Sequence, residues 1–198
     1  MLIRFRHLKK SMFTALPLAV VFGVSSARYT GSALRGAATG LLGGMLGALL
    51  HAWVASRAER KLSKEGIDLP DPPVRPKLVL KSNLSAERLI ALCREGLKSP
   101  TLRVKRLETD TDRRIVAVTR VSFYSFSERV TAEVKTDANG RSILEISSVP
   151  RVSTTVSDGG ANYRNVYLLG KFVKQQAGEH SFSEESLLDL DKMTPVKG

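Results

Sequence analysis

Two uncharged apolar segments near the amino terminus constrain the fold of this chain more than any other feature. Residues 11–27 and residues 36–55 contain no Lys, Arg, Asp or Glu, and basic residues flank both. A membrane-spanning helix needs about 20 consecutive, predominantly apolar residues. The second segment reaches this length, and the first lies at the short end of the range. We therefore expect a transmembrane helical hairpin over residues 11–56.

The first segment is open to three interpretations. It spans the membrane and pairs with the second segment, it is an in-plane or targeting helix, or it is a cleaved signal peptide. A basic start, an apolar stretch and the sequence Ser25-Ser26-Ala27 fit a signal peptide, whereas Arg and Ser without acids fit mitochondrial targeting. Pro17 does not exclude a span, because membrane helices tolerate proline. The spanning hairpin is the preferred prediction.

The positive charge of the chain is concentrated around these segments. The formal net charge is +12, and residues 1–58 hold seven Lys or Arg and no Asp or Glu. Because basic flanks stay on the inner side of a membrane, both ends of the hairpin are expected in the mitochondrial matrix or the bacterial cytoplasm. The long acid-free stretch favours the mitochondrial inner membrane with the soluble domain in the matrix. A bacterial inner membrane with a cytoplasmic domain is the alternative.

Small residues recur every four positions in the second segment. This spacing places them on one face of a helix, where another helix can approach closely. The expected packing partner is residues 11–27, a second copy of the chain, or a different membrane protein. The predicted helix-packing residues are Gly36, Gly40, Gly44, Ala48 and Ala52.

A proline-rich linker separates the hairpin from a soluble domain. Residues 1–10 form a basic leader, residues 57–76 the linker and residues 77–178 the domain. Residues 179–198 are acidic and poor in apolar residues. They are therefore predicted to be a flexible tail.

The soluble domain has the pattern of a sheet with one buried face. Apolar and polar side chains alternate over residues 130–135, as in a half-buried strand. Asn139-Gly140 predicts a type I′ hairpin turn, whose central residues both need a positive φ. The fold class is therefore α+β, with a curved antiparallel sheet and helices on one face. Strands are predicted at 78–81, 102–108, 114–124, 128–136, 141–147 and 150–156, and helices from Ser85 to Ser99-Pro100 and over 161–176.

No catalytic constellation stands out in the sequence, so the chain is not expected to be an enzyme. The single cysteine, Cys93, falls on the apolar stripe of a predicted helix and is interpreted as a buried structural thiol. His7, His51 and His180 lie in three different regions, so we predict no metal and no cofactor. Aromatic residues interleave with arginines over residues 120–129, but alternate strand positions face the core, so no nucleic-acid binding is predicted.

Three short motifs in the soluble domain resemble one family. They are residues 117–120 followed by Phe126 and Glu128, residues 148–151 (Ser-Val-Pro-Arg), and residues 158–162 (Asp-Gly-Gly-Ala-Asn). Over about residues 78–176 the chain resembles the domain-of-unknown-function 1499 family. It departs from the family pattern at Glu128, where an Asp pair is usual, and at Pro150, which replaces a serine. Ser153 replaces a glycine, and residues 154–156 look like an insertion. The resemblance implies a fold and an association with a membrane or organelle, and no reaction.

Four polar residues near these motifs are candidates for ligand binding. Gly159-Gly160 would let the backbone approach an anion at the start of the last helix. The alternative interpretation is a loop and helix cap, in which Asp158 accepts backbone N–H groups and pairs with Arg151. The candidate ligand-binding residues are Arg120, Arg151, Asp158 and Asn162.

Two functions fit these features. The leading hypothesis is a membrane-anchored structural or assembly subunit of a larger inner-membrane complex. It would pack through the glycine-zipper helix on other transmembrane helices, in a hetero-complex or homo-oligomer. The alternative is a membrane-tethered module for a lipid-like or anionic ligand, with a cavity between the sheet and the last helix. Membrane lipids are partners in both hypotheses, and nucleic acid is a partner in neither.

Overall fold

The chain divides into two compact units, Met1–Gly66 and Ile67–Gly198. The computed structural model describes residues 5–64, 67, 74–121, 127–152, 158–183 and 194–195. The first unit is helical and the second contains a sheet, so the fold class is α+β. Several predicted features lie outside the described residues: the start of the basic leader, most of the linker, the strand ends at 122–124 and 153–156, Phe126 and most of the tail.

Two long helices make up the first unit. Helix α1 is Phe5–Thr30 and helix α2 is Ala33–Lys64, which correspond to about 39 Å and 48 Å at 1.5 Å per residue. Only Gly31 and Ser32 connect them, and Gly31 adopts a φ of +65°. Such a short connection makes the helices antiparallel neighbours. In the part of the chain that the structure describes, α2 is the one helix long and apolar enough to cross a membrane, and a signal sequence or a core helix would have the same properties.

One antiparallel sheet and two helices form the second unit. The elements in chain order are β1 (Pro76–Ser82), α3 (Ala86–Leu97), β2 (Val104–Asp110), β3 (Arg114–Thr119), β4 (Glu128–Thr136), β5 (Ser142–Pro150), α4 (Ala161–Ala177) and β6 (Thr194–Pro195). The strand order is β2-β3-β4-β5-β1-β6, and every neighbouring pair is antiparallel. Strand β6 has only two residues, so five strands carry the sheet.

Helix α3 begins where the sequence predicts. The Ser85 side chain accepts a hydrogen bond from the Arg88 amide at 3.2 Å, which satisfies one of the free N–H groups at the start of the helix. The helix ends at Leu97, before the predicted Ser99-Pro100 stop, and Pro100 starts a short 3₁₀ turn. The cap and the stop signal are therefore confirmed.

The core lies between one face of the sheet and the two helices. Helix α3 approaches α4 closely at Gly96, where a Cβ atom would lie 2.7 Å from Leu169 Cδ1. The space between α4 and the sheet, where a cavity was predicted, holds fully buried side chains. The fully buried residues at this contact are Leu80, Leu144, Ile146, Val166, Leu169 and Val173.

Strand β5 differs from its prediction. Residues 141–147 and 150–156 were expected to form two strands, but one strand pairs with β4 from Ser142 to Pro150. Pro150 stands at the last position, opposite Glu128, and β1 has already ended its pairing with β5 at Ser147. Because no third strand needs an N–H group from Pro150, the proline terminates the strand without breaking it.

The turn between β4 and β5 also differs. Gly140 has a φ of +78°, but Asn139 does not have a positive φ, so the turn is not type I′. The Asp137 amide donates to the Arg141 carbonyl at 2.9 Å, and Asp137 Oδ1 accepts the amides of Asn139 and Arg141. This carboxylate stabilises a longer loop over residues 137–141, which a two-residue signal does not describe.

The start of the predicted flexible tail is ordered. Phe182 is 6% exposed in the core and forms a bridge with Ser82. The Ser183 amide donates to the Lys81 carbonyl at 3.1 Å, and the Ser181 carbonyl accepts from the Asn83 amide. The buried aromatic ring and the backbone bonds attach this segment to β1, so the predicted tail boundary at residue 179 is wrong.

Candidate functional site

The predicted glycine face of α2 lies against α1. A Cβ atom on Gly36 would lie 2.6 Å from the Gly23 carbonyl oxygen, and one on Gly40 would lie 2.6 Å from the Ala19 carbonyl oxygen. Real Cβ atoms essentially never approach closer than 3.0 Å. These two positions therefore require glycine if the helices keep this separation.

The same face continues along both helices. A Cβ atom on Gly44 would lie 2.7 Å from Ala19 Cβ, while Ala48 is 4% and Ala52 0% exposed. Helix α1 contributes its own row of small residues at four-residue spacing, which the sequence reading missed although the spacing is visible there. This row consists of Ser11, Ala15, Ala19, Gly23 and Ala27. The face is thus occupied by α1 of the same chain.

Large apolar side chains cover the outward surface of the helix pair. On α2, Leu41, Leu42 and Leu46 are 68%, 69% and 70% exposed. An apolar groove of about 160 Å³ runs along the two helices. Within this unit, small residues are therefore inside and large aliphatic residues outside, the reverse of a water-soluble helical pair. The groove is lined by Met12, Ala15, Leu16, Ala19, Leu41, Gly44, Met45 and Ala48.

Two of the four predicted ligand residues, Asp158 and Asn162, come together at the start of α4. Asp158 Oδ2 accepts the Asn162 amide at 2.8 Å and its Nδ2 group at 2.6 Å, and Asp158 Oδ1 accepts the Gly160 amide at 3.0 Å. Both residues are buried. Burial raises the pKa of the Asp158 carboxyl, these hydrogen bonds oppose the rise, and the nearby charge of Glu128 adds to it. The carboxylate therefore caps the helix from inside the protein.

The cap continues into a buried polar cluster on the sheet. Ser148 Oγ donates to Asn162 Oδ1 at 2.5 Å. At the neighbouring strand ends, Thr119 Oγ1 donates to Glu128 Oε2 and accepts the Glu128 amide. Glu128 Oε1 is buried and has no hydrogen-bond partner among the described residues. The Ser148–Asn162 hydrogen bond joins the start of α4 to β5, and the Thr119–Glu128 hydrogen bonds join the ends of β3 and β4. Asp158 accepts backbone N–H groups, as the loop-and-cap interpretation expects of it.

The other two predicted ligand residues, Arg120 and Arg151, do not join this cluster. Both side chains are exposed, and the structure shows no ion pair between Arg151 and Asp158. The Arg151 amide donates to the Ser127 carbonyl at 3.2 Å, which fixes only its backbone. Arg120 instead lines a pocket beside α3 and β2. The four residues therefore do not form one ligand site.

This pocket, called the basic pocket below, has a volume of about 520 Å³. It lies between the end of α3, the 3₁₀ turn that follows, and strands β2 and β3. Four of its lining residues are cationic and none is acidic, and its apolar floor includes Leu97, Val104 and Leu107. The sequence reading found only Arg120. The full lining is Arg94, Leu97, Lys98, Ser99, Pro100, Arg103, Val104, Leu107 and Arg120.

Backbone geometry places two of the arginines side by side. Arg103 adopts a left-handed conformation with φ +52°, which is uncommon for a residue other than glycine. Its carbonyl accepts the Arg120 amide at 2.9 Å. The third arginine, Arg94, is neutralised by Asp110 at 2.6 Å, which lowers the pKa of that carboxyl. Among the described residues, the side chains of Lys98, Arg103 and Arg120 make no ion pair.

Metal and thiol chemistry receive no support from the described residues. In that part of the chain, no group of three or more His, Cys, Asp or Glu side chains is placed to hold a metal ion. Cys93 is fully buried, and burial raises its pKa to about 12. The thiol is therefore a core group, as its place on the apolar stripe predicts.

Comparison with known proteins adds no assignment to this geometry. No family model matches the chain, and no curated protein matches it. The resemblance to the domain-of-unknown-function 1499 family stays a prediction.

Proposed function

We propose that this chain is a membrane-anchored structural subunit, in which α1 and α2 form a transmembrane pair that holds the α+β unit at an inner membrane. One observation carries the proposal: the helix pair has small residues inside and large apolar residues outside. Helices in lipid associate through close packing of small residues, because lipid tails are as apolar as leucine. The mitochondrial inner membrane is the proposed location, and a bacterial inner membrane is the alternative.

The outward side chains argue for lipid as the surrounding medium. Soluble proteins rarely expose contiguous apolar patches larger than a few hundred Å². A core helix would bury residues such as Leu42 and Leu46, which are about 70% exposed here. The uncharged segments 11–27 and 36–55 correspond to about 26 Å and 30 Å of helix, close to the thickness of a bilayer core.

Assembly with other subunits then uses a surface other than the glycine face. Since α1 occupies that face, another transmembrane helix would contact the outward aliphatic surface. An apolar groove near Leu16, Leu41 and Met45 indents this surface, and methionine adapts readily to different partners. This supports a role in a larger complex in which Gly36 and Gly40 pack against α1 of the same chain and not against a partner.

A double substitution distinguishes a membrane pair from a soluble one. Leu42→Lys with Leu46→Lys places two charges on the outward surface of α2. In lipid each central lysine costs about 3 kcal/mol, so the variant should no longer resist alkaline carbonate extraction, whereas the native chain should resist it and float with lipid in a density gradient. On a water-exposed helix the same lysines would be harmless. Unchanged fractionation of the variant would therefore contradict the proposal.

A disulfide tests the pairing within one chain. Ser26 Oγ lies 3.1 Å from Thr39 Oγ1, so Ser26→Cys with Thr39→Cys, in a Cys93→Ala background, should oxidise to a monomer without free thiols. Covalent dimers would show that the small-residue face packs between copies. The intact mass of the same sample tests the signal-peptide alternative, because cleavage after Ala27 would remove Ser26 and leave the partner thiol free.

A further inference from the structure

We propose that the basic pocket binds an anionic lipid, with the phosphate held by Arg103 and Arg120 and the apolar part against Leu97, Val104 and Leu107. The inference rests on the proposed membrane anchor, because the membrane would supply the lipid. The site itself stands on the geometry of the α+β unit alone.

Two of the four cations that line the pocket, Arg103 and Arg120, are free to bind an anion. Arg94 is already paired with Asp110, and Asp110 also interacts electrostatically with Lys98 at longer range. Arg103 and Arg120 have no such carboxylate partner among the described residues, and their backbones are linked directly. Both guanidinium groups belong to residues that line the same pocket, and a guanidinium group presents parallel N–H donors, the geometry that phosphate oxygens accept best.

The helix end beside the pocket does not oppose an anion strongly. The carboxyl end of α3 carries partial negative charge on its last carbonyl groups. Two of these carbonyls, those of Glu95 and Gly96, accept the amides of Lys98 and Ser99 at 3.0 Å. The Lys98 side chain lies at the same end of the helix and adds a positive charge there. The local field is therefore positive.

The pocket also has an apolar side, which a small inorganic anion does not need. Leu107 is 43% exposed, although it lies on a strand, and it lines the pocket beside the half-buried Val104. Strand β2 is the edge of the sheet, and its pairing with β3 shifts register on both sides of Leu107. Such irregularities turn side chains out of the regular alternation. A ligand with a phosphate and an apolar part matches both sides of the pocket.

The surrounding charges favour one compact ligand over a nucleic-acid strand. A strand needs a continuous track of free cations along its phosphates. On the neighbouring strands, Arg106 and Arg129 both pair with Glu108 at 3.0 Å. These two arginines are therefore not free to extend a track of cations from the pocket along the sheet.

The test measures individual lipids on the full chain in mild detergent by native mass spectrometry. Phosphatidic acid and phosphatidylcholine with identical acyl chains are titrated, and glycerol phosphate provides the headgroup without the chains. The test variant is Arg103→Gln with Arg120→Gln. The matched control is Arg113→Gln with Arg114→Gln, which removes the same charge at the other end of β3 from exposed residues outside the pocket.

The native chain and the control should bind phosphatidic acid at least about tenfold more tightly than phosphatidylcholine, and the test variant should lose this preference. Leu107→Ser should weaken phosphatidic acid binding while the hydrogen exchange of α3 stays native. A preference that survives in the test variant, or is absent from the native chain, would overturn the proposal. Equal binding of glycerol phosphate would overturn the lipid as ligand. If the chain stays soluble without detergent, the anchor proposal fails. The same titration in buffer still tests whether the basic pocket binds the lipid.

Discussion

Burial determines how individual ionisable groups of the α+β unit behave. Asp137 is only partly buried, and hydrogen bonds from the backbone and side chain of Arg141 and from the Asn139 amide lower the pKa of its carboxyl. Asp158 accepts a similar number of hydrogen bonds, but it is 1% exposed, and desolvation raises its pKa. The sequence left two interpretations of Asp158, an anion-binding residue and a helix cap, because a loop with Gly159-Gly160 before a helix fits both. It did not indicate the burial, which depends on the distant strands that cover the cap.

This burial gives the unit an unusual pH dependence. An aspartate with a raised pKa in the folded state holds its proton more strongly when folded, so its contribution to stability falls as the pH rises from about 4, the unfolded pKa. Asp158→Asn removes the titration. Hydrogen exchange, corrected for intrinsic rates, gives the free energy of opening of α4. The native value minus the Asp158→Asn value should therefore be largest near pH 4 and should decrease toward pH 7. A difference that grows over this range would show that the pKa is lowered instead.

Cys93 provides a second test at the residue scale. With a pKa of about 12 and no exposed surface, its thiol should be essentially unreactive toward maleimide in the native chain and should react at least about a hundredfold faster in urea. The matched control is Glu95→Cys in a Cys93→Ala background, an exposed position two residues further along α3. Comparable native labelling of the two thiols would mean that the α3 stripe is not buried.

Close packing at the element scale depends on where small residues recur. The four-residue spacing in α2 predicted a close helix contact, and α1, which has the same spacing of small residues, lies against Gly36 and Gly40. The ends of the strands were harder to predict. Their approximate positions follow from alternation, but the end of β5 and the ordered segment at Phe182 depend on contacts with β4 and β1, which are distant in sequence. A local pattern does not contain that information.

Two glycines on neighbouring faces of α2 offer a matched comparison. A Cβ on Gly40 would meet the Ala19 carbonyl at 2.6 Å, whereas one on Gly43 would meet only the Phe22 ring, at 3.2 Å. Gly40→Ala should destabilise the helix pair by about 1–3 kcal/mol, because a backbone must move. Gly43→Ala should be neutral or slightly stabilising, because alanine favours the helix and a ring can turn. Disulfide trapping between Ser26→Cys and Thr39→Cys during an SDS titration measures the stability of the helix pair in each variant. Equal effects of Gly40→Ala and Gly43→Ala would mean that α1 does not approach Gly40 closely.

At the scale of the whole molecule, charge and apolar surface have separate roles. The acid-free first 58 residues and the uncharged segments within them are the basis for the proposed membrane anchor, and the α+β unit carries the basic pocket. The pocket escaped the sequence reading because its cations come from α3, the following 3₁₀ turn and the end of β3. Only Arg120 belonged to a recognisable motif. Exposed lysines and arginines are too common for their spacing to identify a shared cavity before the fold is known.

The last prediction concerns the orientation of the α+β unit across the membrane. Basic residues flank the outer ends of both apolar segments, and the connection holds only Arg28 and Arg35, so that connection should face the intermembrane space or the periplasm. Tyr29, which is 93% exposed, and Glu95 are suitable sites for single cysteines in a Cys93→Ala background. A membrane-impermeant maleimide added to mitoplasts or spheroplasts should label Tyr29→Cys directly. It should label Glu95→Cys only after the membrane is permeabilised, because the proposed orientation places the α+β unit inside. Labelling of both sites from outside would mean that α2 does not cross the membrane, because α2 lies between Tyr29 and Glu95 in the chain. Labelling of Glu95→Cys alone would mean that the orientation is reversed.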